Sequence, residues 1–145
     1  GSGHPEMGHM RVTRHSEDDF DGACSYHGDC LEGLACGPSI EKRWGKKAEE
    51  LPVDHPAWGL EAYYLAQACM NVLTIAPVER IILGGGVMHQ EQLLSMVKKQ
   101  LSGLVNGYLD LTEELIVSPK LGDHAGLLGC VALGHQRLAD LDEQN

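Results

Sequence analysis

Three residues able to hold a metal fall within seven positions: Cys24, His27 and Cys30, spaced by three, in the stretch Cys24-Ser-Tyr-His27-Gly-Asp-Cys30-Leu-Glu32. Thiolate and imidazole are donors that zinc prefers in a tetrahedron, so this spacing points to a zinc site needing one further ligand. His9, in Glu6-Met-Gly-His9, is the first choice, and His4, His15 and Cys36 are the other candidates. Two thiolates and two neutral imidazoles around Zn2+ leave the centre close to neutral, which allows partial burial. Four protein ligands leave no open position, so the expected role is structural rather than that of a Lewis acid. Such an ion would close the stretch from His9 to Cys30, which has too few apolar residues to order itself. The chain has five cysteines, an odd number without an export signal, which favours metal ligation or free thiols over a disulfide framework. Cys69 and Cys130 sit on apolar helical stripes and are expected as core thiols.

The elements that must position these residues follow from periodicity. Residues 4–29 read as irregular, with strand-like alternation only from Met10 to His15. Leu31, Leu34, Ala35, Ile40 and Trp44 are helically spaced and stop at Gly45, with Gly37-Pro38 predicting a break. Pro56 suits a first helical position, and Leu60, Tyr63, Tyr64, Ala68 and Val72 predict a long helix ending before Pro77. Arg80-Ile-Ile-Leu83 and Leu115-Ile-Val117 read as buried strands. Between them, Leu93, Leu94, Val97, Leu101 and Leu104 predict an amphipathic helix. A last helix, capped by Asp123, carries Ala125, Leu128, Val131 and Leu138. The alternation over 56–140 predicts an α/β layer with helices on a short, mostly parallel sheet.

Composition narrows the partners. At 145 residues the chain has the length of one domain. Its net charge of -10 repels phosphate backbones and argues against nucleic acid. The basic run Glu41 to Lys47 reads as the solvated face of a helix. No apolar run approaches the roughly 20 residues that span a bilayer, and no signal peptide pattern is present, so no membrane partner and a cytoplasmic location are the expectations. Gly1, Ser2 and Gly3 are set apart as a cloning remnant or the start of a truncated chain, leaving 4–145 as the domain, with 4–36 as its zinc-binding segment.

At the metal motif the chain resembles a known family. His4-Pro-Glu6-Met-Gly-His9 and Cys24-Ser-Tyr-His27-Gly-Asp-Cys30-Leu-Glu32-Gly-Leu-Ala-Cys-Gly-Pro38 resemble the zinc-containing segment of the ROK family (repressors, open reading frames, kinases). With histidine at 27 and the Pro-Glu-Met-Gly-His opening, the segment is most similar to that of the family's bacterial fructokinases. Ile82-Leu-Gly84-Gly-Gly86-Val-Met88 resembles its nucleotide-contacting glycine motif, and Gly122-Asp-His-Ala-Gly126 the start of its last helix. The resemblance covers nearly the whole chain. It implies an actin-like (ribonuclease H-like) fold in which sugar and ATP lie between two α/β domains, this chain being the C-terminal lobe.

Roles follow on matching positions. The resemblance implies that Glu6 and Glu32 accept hydrogen bonds from sugar hydroxyls. It implies that His9 binds zinc through one ring nitrogen and offers the other to the sugar, with Cys24, His27 and Cys30 completing the site. Gly84, Gly85, Gly86, Val87 and Met88 would lie against the nucleotide, with Pro38 near the adenine. Charge-assisted hydrogen bonds suit polyol recognition, and one ion could fix both carboxylates, since each is two or three residues from a ligand. The glycine run alone would read as a strand-ending turn. The implied reaction is phosphoryl transfer from ATP, with Mg2+, to a hexose, fructose first.

The family's opening phosphate loop and its catalytic aspartate have no match in this chain, so the fragment alone is expected to be inactive. Two other classes remain: the sugar-sensing part of a ROK repressor, and a zinc-stabilised dimerisation module. A homodimer is expected under either the kinase or the module reading.

Overall fold

The computed structural model describes residues 5–142. Its regular elements are α1 (Leu31–Leu34), α2 (Gly37–Trp44), α3 (Ala57–Ile75), β1 (Ile81–Ile82), α4 (Glu91–Val105), β2 (Ile116–Val117) and α5 (Ala125–Asp142). The predicted order of helix, strand, helix, strand, helix over the second half is therefore observed, and β1 and β2 pair in parallel, Ile81 with Ile116 and Ile82 with Val117. Parallel neighbours require a crossover, and α4 supplies it.

The core lies between α3 and α4. Ala62, Ala66 and Cys69 of α3 meet Leu93, Val97, Leu101 and Val105 of α4, with Ile116 of β2 beneath. The buried residues of α4 recur every four positions and form one stripe. Those of α3 are small, which lets the large side chains of α4 approach closely. This rotates the buried face of α3 away from the one expected: Leu60, Tyr63, Ala68 and Val72 are only half-buried, whereas Trp58, Glu61, Ala62 and Ala66 are buried. Large side chains dominate a periodicity reading, but the closest helix contact belongs to the alanines.

Chain ends of the helices obey local rules. Gly45, at φ 69°, ends α2, its N–H donating to the Glu41 carbonyl at 2.8 Å. Asn106, at φ 47°, ends α4 in the same left-handed conformation. The break between α1 and α2 falls at Ala35 and Cys36, and Pro38 sits in the first turn of α2, where its missing N–H costs nothing. A second, smaller cluster joins Ile40, Leu51, Ala57 and Trp58, with Trp44 packed on it.

Several expectations are corrected. Ile82 of β1 is 63% exposed, because no described element covers that face of a two-stranded sheet. On α5, Leu127, Leu133 and Leu138 are more than 60% exposed and Cys130 is exposed. This helix packs chiefly on the turn that precedes it, so its apolar stripe finds no described partner. Cys69 is the core thiol foreseen, and burial pushes it up to about 11. The cap expected from Asp123 concerns a side chain outside the described residues, as do His4 and residues 1–3. Met10 to His15 form no strand; a single antiparallel bridge joins Arg11 to Cys30. No helix is long and apolar enough to cross a membrane among the described residues.

Arg43 is the largest correction. Read as part of a solvated basic face, it instead enters the interior and forks onto Asp18, with Nε to Oδ1 at 3.1 Å and Nη2 to Oδ2 at 3.0 Å. Both side chains are under a tenth exposed. The hydroxyl of Tyr64 donates to Asp18 Oδ2 at 2.5 Å, and the His15 N–H donates to that hydroxyl at 3.1 Å. The guanidinium also donates to the Leu34 carbonyl and lies over the Phe20 ring at 4.6 Å. One buried ion pair thus ties the irregular segment to α1, α2 and α3.

Candidate functional site

The metal motif is built on a tight hairpin. The Cys24 N–H donates to the Gly28 carbonyl and the Gly28 N–H returns to the Cys24 carbonyl, at 3.2 and 3.0 Å. Cys24 and His27 therefore project from one small loop, and Cys30 follows at the N-cap of α1. The hairpin rests on α1 so closely that a Cβ on Gly33 would lie 1.8 Å from the Gly28 carbonyl oxygen, and one on Gly22, at φ 101°, 2.0 Å from it. Only glycine fits at either place. His9 comes from a short turn, Met7–His9, packed beside α1.

These loops bring together the four residues named from sequence. One donor atom each from His9, Cys24, His27 and Cys30 lies within 4.8 Å of the others. His9 Nδ1 is 3.7 Å from Cys24 Sγ and 3.8 Å from Cys30 Sγ, and His27 Nδ1 is 3.9 Å from Cys24 Sγ. A zinc tetrahedron with the usual sulfur and nitrogen bond lengths has edges of about 3.3–3.8 Å, so the donor set fits that ion with little adjustment. The other candidates among the described residues, His15 and Cys36, are elsewhere. The His15 ring packs edge-on against Tyr63 at 4.9 Å, and the Cys36 sulfur lies 3.0 Å from Ser39 Oγ.

The two thiols differ in environment. The N–H groups of His27 and Tyr26 hydrogen-bond to the Cys24 sulfur and draw its thiol down to about 6. Burial raises that of Cys30. One sulfur is thus prepared as thiolate, and the other is sheltered beside it.

The implied sugar contacts share one cavity. Glu6, His9, Glu32, Tyr26, Cys36 and Pro38 border an open space of about 430 Å³. Glu32 Oε2 is 3.6 Å from His9 Nδ1, so the carboxylate stands directly beside the metal cluster. A second cavity, of about 470 Å³, lies between α2 and the glycine loop and is bordered by Pro38, Lys47, Gly86, Val87, His89 and Gln90. Pro38 lines both. Gly84, Gly85 and Met88 do not reach this second cavity; they border a smaller one of about 200 Å³ behind it, along with Gly86 and Val87. Trp44 is not among the lining residues; it packs against His55 and the second core cluster.

The sequence reading passed over Glu61. It lies on the buried face of α3, is 1% exposed, borders the small cavity, and has no hydrogen-bond partner for Oε2. A signal was present: Glu61 falls three residues after Trp58 and four before Leu65, in phase with the apolar stripe. Burial pushes this carboxyl up to about 8, against the opposing pull of the Arg43 charge. An unfolded chain releases the same proton near 4.5, so the folded protein holds it more tightly. Its contribution to stability is fully present below pH 4.5, falls as pH rises to about 8, and is level beyond. Glu61→Gln should abolish this slope, so the stability difference between variant and wild type should grow by a few kcal/mol from pH 5 to pH 8 in urea titrations. Parallel curves for the two proteins would show that the carboxyl is not held neutral.

The ROK family model matches residues 1–137. A provisionally named fructokinase of Bacillus subtilis (strain 168) is 48% identical over 144 residues, covering 95% of this chain and 48% of its own length. The fructokinase of Lactococcus lactis subsp. cremoris is 45% identical over 144 residues, covering 96% and 48%. That of Pediococcus pentosaceus is 42% identical over 140 residues, covering 95% and 49%. The chain therefore spans about half the length of the curated relatives it matches. A family match over nearly every residue, together with an α/β arrangement around a small parallel sheet, establishes that this chain belongs to the ROK family, within the actin-like ATPase superfamily.

Proposed function

We propose that the chain is the C-terminal lobe of an ATP-dependent hexose kinase that transfers the γ-phosphoryl group, as the Mg2+ complex of ATP, to a sugar hydroxyl, with fructose as the first acceptor to try. The observation that carries this reading is the meeting of two cavities at Pro38. One is walled by Glu6, His9 and Glu32, and the other by Gly86 and Val87. A sugar in the first and a nucleotide in the second would be neighbours, which is what in-line transfer requires. The names of the relatives, all fructokinases, support the same reaction.

In this proposal His9, Cys24, His27 and Cys30 hold a zinc ion. When bound, the ion supplies charge and rigidity rather than an open coordination site. Glu32 and Glu6 accept hydroxyl protons of the sugar in charge-assisted hydrogen bonds and fix its orientation. His9, holding metal through Nδ1, leaves Nε2 for the same ligand. The glycine loop offers backbone rather than side chain to the nucleotide. The groups that activate the hydroxyl and clamp the transferred phosphoryl belong to the rest of the longer enzyme.

The test uses that longer enzyme. Glu32→Gln should lower kcat/KM for fructose by about 10- to 100-fold, the worth of one or two hydrogen bonds to a charged acceptor, while leaving the KM for ATP and the zinc content unchanged. An equal loss for every substrate, or an effect on ATP alone, would remove Glu32 from the sugar. The 145-residue chain by itself should show no turnover. A sugar-sensing repressor would differ at once, binding sugar with no ATP requirement.

A further inference from the structure

We propose that the ring of Tyr26 is the platform on which the apolar face of the sugar lies, while Glu6 and Glu32 take its hydroxyl edge. This deepens the hexose kinase reading above and rests on it for the identity of the ligand. Tyr26 itself belongs neither to the metal motif's donors nor to the sugar contacts implied by the resemblance.

The chain has four tyrosines, and Tyr26 is placed unlike the rest. Tyr64 is buried with its hydroxyl on Asp18, Tyr63 packs against His15, and Tyr108 follows α4 and borders neither large cavity. Tyr26 is 82% exposed, yet it borders the space of about 430 Å³ that Glu6, His9 and Glu32 also wall. Its ring contacts among the described residues are two imidazoles, His9 at 6.0 Å and His27 at 6.3 Å between centroids. Its hydroxyl has no hydrogen-bond partner among those residues. A bare aromatic ring on a cavity wall is a surface that a ligand with an apolar side can cover, and covering it removes that area from water.

The backbone under this ring is nevertheless fixed. Tyr26 lies at the tip of the hairpin closed by the two bonds between Cys24 and Gly28, and its own N–H bonds to the Cys24 sulfur. With zinc on Cys24 and His27, one ion would pin the chain on both sides of it. Only two side-chain torsions then remain free, so holding the ring against a ligand costs little entropy.

The planes of the Tyr26 and His9 rings stand at 84°. A flat ligand parallel to the tyrosine ring therefore turns its edge to the imidazole, and Glu32 Oε2 lies 3.6 Å from Nδ1 of that imidazole. A hexose needs this division. Its hydroxyls suit charged acceptors, whereas its C–H bonds form a face that no carboxylate can serve. Of the residues bordering the cavity, Tyr26 has the largest apolar surface, Ala23, Cys36 and Pro38 being small.

The test titrates fructose, without nucleotide, into the longer enzyme by calorimetry, with residues numbered as here. Tyr26→Ala should weaken fructose binding about 5- to 20-fold, the worth of one aromatic face against a small ligand. Tyr26→Phe keeps the ring and should stay within about twofold of wild type. Zinc content and the KM for ATP should be unchanged in both. In the wild type, the Tyr26 ring resonances should shift saturably with the same midpoint as the titration, an arm that needs no variant. Fructose affinity unchanged in Tyr26→Ala, or lost equally in Tyr26→Phe, overturns the proposal. So does loss of zinc or of ATP affinity in Tyr26→Ala, which would make the ring a prop of the hairpin. If fructose binding still depends on Glu32 in those cases, the kinase reading survives without the platform. A wild-type enzyme that binds no hexose overturns both together.

Discussion

Cys30→Ser will lose the metal and, with it, the order of the Cys24–Gly28 hairpin and of the turn Met7–His9, while the Arg43–Asp18 anchor and the α3–α4 core stay folded. Structural zinc sites in small domains draw about 10–16 kcal/mol of apparent binding energy at neutral pH, more than most domains have in total stability. Cys30 is fully buried and sits at the junction of hairpin and α1, so the hydroxyl that replaces it cannot be rehydrated cheaply. Polar bonds also hold the segment: Arg11 to Asp29 at 2.8 Å, Arg14 to the Phe20 carbonyl, and Gln67 to the Thr13 backbone. Most of these are exposed, and exposed ion pairs are each worth about 1 kcal/mol or less. Under the zinc proposal the metal would therefore dominate around the hairpin, with the buried Arg43–Asp18 pair holding the middle of the segment. Metal analysis should fall from one zinc per chain to nearly none. Hydrogen exchange should lose protection at the N–H groups of Cys24, Gly28 and Leu31, whose acceptors lie within the segment. The amides of Val97 and Leu101 should not change. Retained zinc, or unaltered protection at Leu31, would reject the four-ligand site.

Arg43→Met should destabilise the fold by about 3–5 kcal/mol, because it leaves the Asp18 carboxylate buried without its counter-charge. Desolvation by itself would raise the Asp18 carboxyl, but the Tyr64 hydroxyl and the Arg43 charge outweigh it and hold the group below its usual range. A depressed folded value means that this stability is present above the unfolded value of about 3.8 and is lost as pH falls through the folded one. The stability gap between variant and wild type should therefore narrow as pH falls through that value, because acid removes the same contribution from the wild type. The double variant Asp18→Leu with Arg43→Met should be milder than the single change, since no charge is then left stranded. Urea titrations of the three proteins decide the matter. A single variant within about 0.5 kcal/mol of wild type would place Arg43 back on the surface.

How much of this was legible in the chain depends on the range of each interaction. Cys24, His27 and Cys30 were readable as a candidate metal cluster because they are close in sequence and their donor types are rare together, whereas His9 was one of four choices until the fold placed it beside them. The strands at 81–82 and 116–117 and the helix between them announced themselves through local runs and glycine stops. By contrast, the pairing of Arg43 with Asp18 spans 25 residues and left only a basic run that looked like a solvated surface. The buried face of α3 was misplaced because alanines carry little weight in a hydrophobic pattern, although they set the helix contact.

By itself the sequence determined the family, three residues of the candidate metal cluster, the order of the elements and where most of them stop, since all of these depend on residue identity and short-range periodicity. Tertiary structure alone decided that Glu6, His9 and Glu32 share a cavity, that Pro38 separates it from the glycine loop, and that Glu61 lies unpaired beneath that loop. The reason is physical. A burial penalty, a cavity or an ion pair belongs to the space between elements, and that space exists only once the chain has folded onto itself.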